Sequence, residues 1–456
     1  MKKNVIAILC LLFSPGSFSQ STNAVMVKKI VDETMTNSTA YTNLRTLCKQ
    51  VGPRLSGSVN HFKAVKLTQQ MLHNIGVDTV YLQPCMVPHW IRGSKEQGEI
   101  FFTGGKKFQL HLTALGNSVG TPAAGISAPL VEVRSMDELS SLGESIVKGK
   151  IVFFNFKMNP TYIETFKAYG ESGVSRVTGP SQAARYGAVG AIVRSLASNL
   201  NDYPHTGVTV YNDSFPKIPA IAISTNDAEY MSKELKKKYV TKVWFKTNSK
   251  MLPDVKAYNV IGEIKGSTFP EEIITVGGHL DSWDLAEGAN DDGSGVVQSI
   301  EVLRTLNALG IKPKRTIRAV LFVNEENGRR GADAYFEEAN TKNEKHIFAL
   351  ETDAGGFSPR GFSLDMNEEQ LQKVTAWKGL FYPYGVYDFL SGGGGADIEP
   401  LKQIGAALAG LRPDSQRYFD IHHAATDVFE NVSERELNLG AGIMGALIYL
   451  VSEYGM

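Results

Sequence analysis

The sequence predicts an α/β protein: a mostly parallel mixed sheet flanked by helices, with a smaller inserted module. Three observations predict it. From Ala257 onward, short runs rich in Ile, Val and Phe alternate with amphipathic segments, the pattern of a sheet covered by helices on both faces. Between about 120 and 250 the texture changes to glycine-punctuated strands with few chemistry-bearing side chains. The 456 residues are 43% hydrophobic and 21% charged, enough apolar material for a large core and two or three domains.

The first twenty residues differ from the rest. Lys2 and Lys3 precede a short apolar run, Val5 to Phe13, and Ser17 and Ser19 supply small residues before Gln20. This layout is that of a secretory signal peptide cleaved near Ser19, and the run is too short to span a bilayer. An exported chain, periplasmic or secreted, is expected, and no later run is read as transmembrane. A formal net charge of zero gives no general affinity for nucleic acid or anionic membrane. Cys10 lies inside the apolar run. Cys48 and Cys85 can pair in an exported chain, but Cys48 shares a helical pattern with Leu44 and Leu47, which fits a buried thiol equally well. Neither has CxxC zinc spacing.

Residues 23–76 read as helices, with GPRLSGS (Gly52 to Ser58) as a turn. Strands follow at VDTVYL, EIFF and FQLHLTAL. GKIVFFNF, the second half of SQAARYGAVGAIVRS, and IPAIAIS read as strands of the inserted module, and DAEYMSKELKKKY as a helix with a solvated lysine face. In the last part EIITVGGH, TIRAVLFVN, HIFALE and AALAGL are strands. GVVQSIEVLRTLNALG is a helix with Val296, Ile300 and Leu303 on one face, and GADAYFEEA, QLQKVTAWK and Glu434 to Tyr454 are helices. The division is therefore 1–19 signal peptide, 20–119 and 251–456 the two parts of one domain, and 120–250 the insert.

The polar clusters fall at strand ends. GGHLDSWDLAEGANDDGSG (Gly277 to Gly295) follows an apolar run with one histidine and five carboxylates, then small residues. His279 and Asp281 end one strand, Glu325 and Glu326 follow another, Asp353 lies past FALE, and His422 and His423 follow the last strand in YFDIHHAATD. Asp291 and Asp292 open the long helix. Ligands of such sheets bind beyond the carboxyl ends of the strands, so these groups converge on one rim. Imidazole nitrogens with carboxylate oxygens suit zinc, and a metal pair needs a bridging carboxylate. Asp281, two residues beyond His279, is expected to accept the ring's other N–H. Each element alone has a bland reading: a strand-end Asp as a cap, a Glu pair as solvated surface. The case rests on all of them sharing one rim.

HLDSWD, GANDDGSG, NEENGRRG, ETDAGG and HHAATD, in that order, resemble the motif series of the di-zinc exopeptidases of metallopeptidase family twenty-eight. The insert is similar to the protease-associated domain that many of them carry. VPHWIRG, LGNSVGTP and GGGGADIEPL extend the likeness over nearly the whole chain after residue 19. The resemblance implies two zinc ions: His279 and Asp353 on one, Glu326 and His423 on the other, Asp291 bridging. It implies Glu325 as general base acting on a bridging metal-bound hydroxide, His422 as oxyanion stabiliser, and a cis peptide after Asp291. It implies hydrolysis of dipeptides or short peptides, with an aminopeptidase, a receptor-like binding protein and a one-zinc cyclase as alternatives, and a possible homodimer. Gly392 to Gly395 reads either as a flexible loop or as backbone approaching a substrate terminus. Tyr382, Tyr384 and Tyr387 fit core packing or a pocket wall. His61, His73, His89, His111, His205 and His346 have no partner motif and read as structural.

Overall fold

The computed structural model describes the backbone of residues 15–456 and side chains from residue 22 onward. The expected signal peptide, including Cys10, lies outside the described residues except for the backbone of 15–19. The architecture is an eight-stranded mixed sheet with helices on both faces, joined to a unit with four- and five-stranded sheets. In the large sheet the strand order is Thr79–Ile91, Lys250–Ile264, Arg315–Phe322, Phe269–His279, Lys345–Glu351, Ala407–Pro413, Pro359–Asp365, Asp388–Ser391. The middle four, Arg315–Phe322 to Ala407–Pro413, run mutually parallel, and antiparallel pairing is confined to the flanks. Every expected polar cluster follows one of these four strands, except Asp291 and Asp292, which precede the helix Ser294–Ala308. Parallel neighbours end at the same edge, which is why the clusters meet.

Period-two alternation assigns the two faces. Ile317, Ala319 and Leu321 of Arg315–Phe322 enter the larger core with the helices Ser294–Ala308 and Glu434–Tyr454. Val320 and Phe322 pack with Ala332 and Tyr335 of the helix Arg330–Thr341 on the other face. Glu434–Tyr454 is long and apolar enough to cross a membrane, which the sequence reading passed over, but 78% of its apolar window is buried in the fold. Ile443, Met444, Leu447 and Ile448 are fully buried there. Each such side chain contributes roughly 1.5–3 kcal/mol relative to exposure, so the core accounts for the helix.

In the smaller unit, Leu130–Val133, Ile151–Phe154, Gly190–Arg194 and Ala220–Ile223 form a parallel run. Strands Gln97–Phe102 and Leu112–Ala114, which precede residue 120, pair with Val240–Lys246 and Ala220–Ile223. The helices Met136–Val147 and Thr165–Val177 went unread in the sequence. In the first, Gly143 at φ +56° interrupts the periodicity, and the second carries glycines at 170 and 173. Cys48 and Cys85 are both free. Burial pushes the Cys48 thiol up to about 12.

Candidate metal centre

The strand Phe269–His279 is buried along its last seven residues and delivers His279 to the rim with almost no exposure. Its Nδ1 lies 3.0 Å from the main-chain oxygen of Asp281, so Nδ1 carries the proton and Nε2 is left free for a cation. The expected contact with the Asp281 carboxylate is not made: its Oδ1 is 3.9 Å from Nδ1. Past His279 the chain leaves its extended course, which turns the peptide carbonyl toward the ring. The carboxylate instead accepts the N–H groups of Asn324 at 2.7 Å and Glu325 at 3.2 Å, tying two neighbouring strand ends together.

The loop before Ser294–Ala308 is fixed from both sides. Asp292 accepts the N–H of His279 at 3.0 Å and of Gly295 at 2.8 Å. A Cβ at Gly278 or Gly295 would meet the Asp292 carboxylate at 2.3–2.4 Å, so this motif needs its small residues. Asp427 accepts the N–H groups of Asn290 at 2.8 Å and Asp291 at 3.1 Å. The Asp291–Asp292 peptide is cis.

These supports place Asp291 between two sets of donors. Its Oδ1 is 3.2 Å from His279 Nε2, which is 3.4 Å from Asp353 Oδ1. Its Oδ2 is 3.1 Å from His423 Nε2, which is 3.1 Å from Glu326 Oε2. Bonds of about 2.0 Å in a tetrahedral site set ligand atoms about 3.3 Å apart, so both spacings fit zinc. Among the described residues, the buried His279 Nε2 and Asp291 Oδ2 make no hydrogen bond, as expected of atoms reserved for a cation. Glu326 Oε1 accepts the N–H of Trp283 at 3.0 Å, which leaves Oε2 for the metal.

Charge balance gives the same picture. Burial disfavours imidazolium, yet Asp353 beside His279, and Glu326 and Asp291 beside His423, hold both rings well above the usual range. Burial pushes Glu326 up to about 7 and Glu325 to about 8, and the neighbouring carboxylates add to it. The site has more negative charge than its histidines offset, a balance that divalent cations would complete.

Glu325 approaches His279, with Oε2 4.0 Å from Nε2 and a quarter of its side chain exposed, while Glu326 approaches His423. The residue before it, Asn324, adopts φ +70°, the left-handed region that Asn tolerates best. His422 stacks on His423 with ring centres 3.6 Å apart, its Nε2 3.6 Å from Asp291 Oδ2. Burial and His423 hold His422 well below the imidazole range, so it is neutral and keeps one N–H.

Several residues at this site gave no signal in the sequence. Tyr418 packs on Phe166 and on His422, and burial with the charges of Asp291 and Asp353 holds its hydroxyl well above the usual range. The smaller unit contributes Tyr169, whose ring meets His422 edge-on at 5.1 Å, and Arg176, whose Nη1 is 3.4 Å from His423 Nδ1. His205, which read as an isolated structural histidine, lies 2.6 Å from the His422 carbonyl. A cavity of about 300 Å³ adjoins Asp353, lined by Glu351, Gly392 to Gly395, Arg412 and, from the smaller unit, Glu164 and Phe166. The glycine run is thus a cavity wall: a Cβ at Gly395 would strike the Glu351 carboxylate at 2.3–2.5 Å. Tyr382 and Tyr387 are exposed and lie outside this lining. His346 bonds Glu344 and Thr275.

Comparison with known proteins extends this picture. Residues 259–447 match the model of peptidase family M28. Carboxypeptidase Q of Mus musculus is 35% identical over 414 residues, covering 91% of this chain and 86% of that protein. The crystal structure of a peptidase M28 precursor from Shewanella amazonensis superposes with a TM-score of 0.90 at 32% identity, covering 95% of this chain and 97% of that one. A zinc aminopeptidase from Bacillus subtilis shares the fold, with a TM-score of 0.63 at 21% identity over 90% of this chain and 94% of that one.

Proposed function

The chain belongs to peptidase family M28 and is a metallo-exopeptidase, and from that premise we propose that it hydrolyses dipeptides or short peptides with two zinc ions, as a carboxypeptidase Q-like enzyme. One observation carries the reading: the two oxygens of Asp291 face separate donor sets, His279 with Asp353 and His423 with Glu326. A carboxylate shared in this way would serve as the bridge if two metal ions were bound.

Zinc, when bound, polarises the peptide carbonyl and lowers the pKa of water. The chain's own groups handle the protons. Glu325, on the His279 side of the donors, takes a proton from the attacking water and passes it to the leaving amine. Its Oε2 stands 4.0 Å from His279 Nε2, near enough to act on water at that side. Neutral His422 directs its remaining N–H toward the carbonyl oxygen as charge develops there. Asp281 orients the base by holding its backbone N–H. The cavity beside Asp353 receives a substrate residue, with the glycine run letting backbone approach it closely.

The aminopeptidase reading has one specific support. Asp353, a quarter exposed, lines the cavity, while Arg412 is already paired with Glu164 at 2.9 Å, so its inner end suits an α-ammonium. The layout of Lys2, Lys3 and Val5 to Phe13 supports export, and a mature intact mass beginning at Gln20 checks it.

The deciding experiment joins metal analysis with a panel of dipeptides and amino-acid anilides. Two zinc ions per chain with dipeptide turnover is the expected result. Anilide turnover with dipeptides left intact moves the assignment to an aminopeptidase. A chain that binds no zinc and hydrolyses nothing after zinc addition is a binding protein.

A further inference from the structure

The turn that carries His422 and His423 lies between two short 3-10 turns, Tyr418–Asp420 and Phe429–Asn431, and not on a strand. His423 sits at φ +61°, a left-handed conformation that a residue with a Cβ adopts only where its surroundings impose it. Besides the turn's own bonds, His422 N–H to the Tyr418 carbonyl and Ala424 N–H to the Ile421 carbonyl, it is held from the smaller unit. The N–H of Thr206 donates to the His423 carbonyl at 2.9 Å. The Thr206 carbonyl lies 3.3 Å from His423 Nδ1 and accepts its proton when Nε2 faces a cation. His205 Nδ1 lies 2.6 Å from the His422 carbonyl, and since a carbonyl only accepts, Nδ1 carries the proton. Two successive peptide groups of the turn are thus clamped by two successive residues of the other unit.

His205 is itself anchored. Its N–H donates to Ser195 Oγ at 2.8 Å, and that hydroxyl donates to the Ile223 carbonyl at 2.7 Å, on the strand Ala220–Ile223. A chain of hydrogen bonds therefore runs from the smaller unit's sheet through Ser195 and His205 to the metal-binding turn. The His205 ring is 2% exposed, and among the described residues its Nε2 has no partner. An apolar side chain would fill this space without burying an unmatched nitrogen. What the imidazole adds is the bond to His422.

We infer that His205 is a positioning residue for the metal centre, through which the smaller unit sets the affinity of the ion held by Glu326 and His423. The other half is held differently. His279 is fixed by the Asp281 carbonyl and by Asp292, both within the larger unit. Loss of the His205 bond therefore weakens one ion and spares the other. This inference rests on the two-zinc reading above.

The test measures zinc affinity of the full chain by competition with a chromophoric chelator. Wild type binds two ions. His205→Leu weakens the second ion by roughly 10- to 100-fold, the scale of lost support around a ligand, and leaves the first within about twofold. His205→Asn, whose amide N–H replaces Nδ1–H, recovers most of the loss. Val152→Ala, in the smaller unit's core, lowers that unit's stability but leaves both affinities at wild-type values. If His205→Leu does not fold, His205→Ser, too short to reach the carbonyl, replaces it in the comparison with His205→Asn. Wild-type affinity in the variant without the donor overturns the inference, as does an equal loss in Val152→Ala. A wild-type chain that binds no second ion overturns the two-zinc reading itself.

Discussion

The two halves of the candidate metal centre are alike in chemistry and unlike in construction. Each offers one imidazole and one carboxylate besides its own oxygen of the shared Asp291. The His279–Asp353 half grows from adjacent parallel strands, Phe269–His279 and Lys345–Glu351, and is held by groups close to it in sequence. In the Glu326–His423 half, Glu326 follows a strand, but His423 sits on a turn clamped by residues more than two hundred positions away. The first half is a consequence of sheet topology. The second depends on a docked unit, so its geometry is coupled to the position of that unit.

Substitutions test this contrast, and the largest effect belongs to the group common to both halves. Asp291→Ala removes the bridge, so both ions leave and dipeptide hydrolysis falls to background; zinc analysis showing one ion still tightly bound would mean the halves are independent sites. Glu325→Gln separates chemistry from binding. Both ions stay, while kcat falls about 10²- to 10⁴-fold, the range for a positioned proton acceptor. Wild-type turnover by that variant would remove Glu325 from the reaction. Asp427→Ala frees the backbone that presents Asp291 and lowers affinity for both ions alike, by roughly 10- to 100-fold. A loss confined to one ion, as expected for His205→Leu, would contradict the assignment of Asp427 to the bridge.

The smallest effect is a pH dependence of the chelated chain. Burial first, then neighbouring carboxylates, raise Glu325 and Glu351 to about 8, and Glu326 to about 7. Their unfolded values lie near 4.3, so between the two the folded chain binds more protons than the unfolded one, and stability falls as pH rises. His279 and His423, raised by the carboxylates against burial, act in the same direction. Asp291, held well below its usual range by the two histidines against burial, adds no slope above about pH 5. Burial holds His61, His205, His346 and His422 below the imidazole range, which gives the opposite slope up to about pH 6.5, so thermal melts from about pH 7 to 8 are expected to drop with pH after chelation and to flatten with zinc bound. A chelated protein that gains stability across that window would show that these groups are not proton-loaded without metal.

Much of this was legible because it follows local rules. His279, Glu325 and Glu326 lie at or just past strand ends, and apolar runs ending in polar clusters can be read from one chain. The small residues of GGH and GSG are explained by the approach of the Asp292 carboxylate. Asp281 meets the His279 ring through its carbonyl and not through the expected carboxylate: which of the two does so depends on how the chain turns after the strand. His205, Thr206 and Arg176 were not readable as parts of the site. Two of the three bonds to the turn from His205 and Thr206 use Thr206 main-chain atoms, which leave no mark in the choice of side chain.

By itself the sequence determined the fold class and the rim on which the histidines and carboxylates gather, because alternation and strand ends are properties of neighbouring residues. Tertiary structure alone decided that the two oxygens of Asp291 face different donor sets, that the glycine run walls a cavity, and that His205 reaches the turn before His423. Those outcomes depend on distances between segments far apart in the chain, set by how whole units pack.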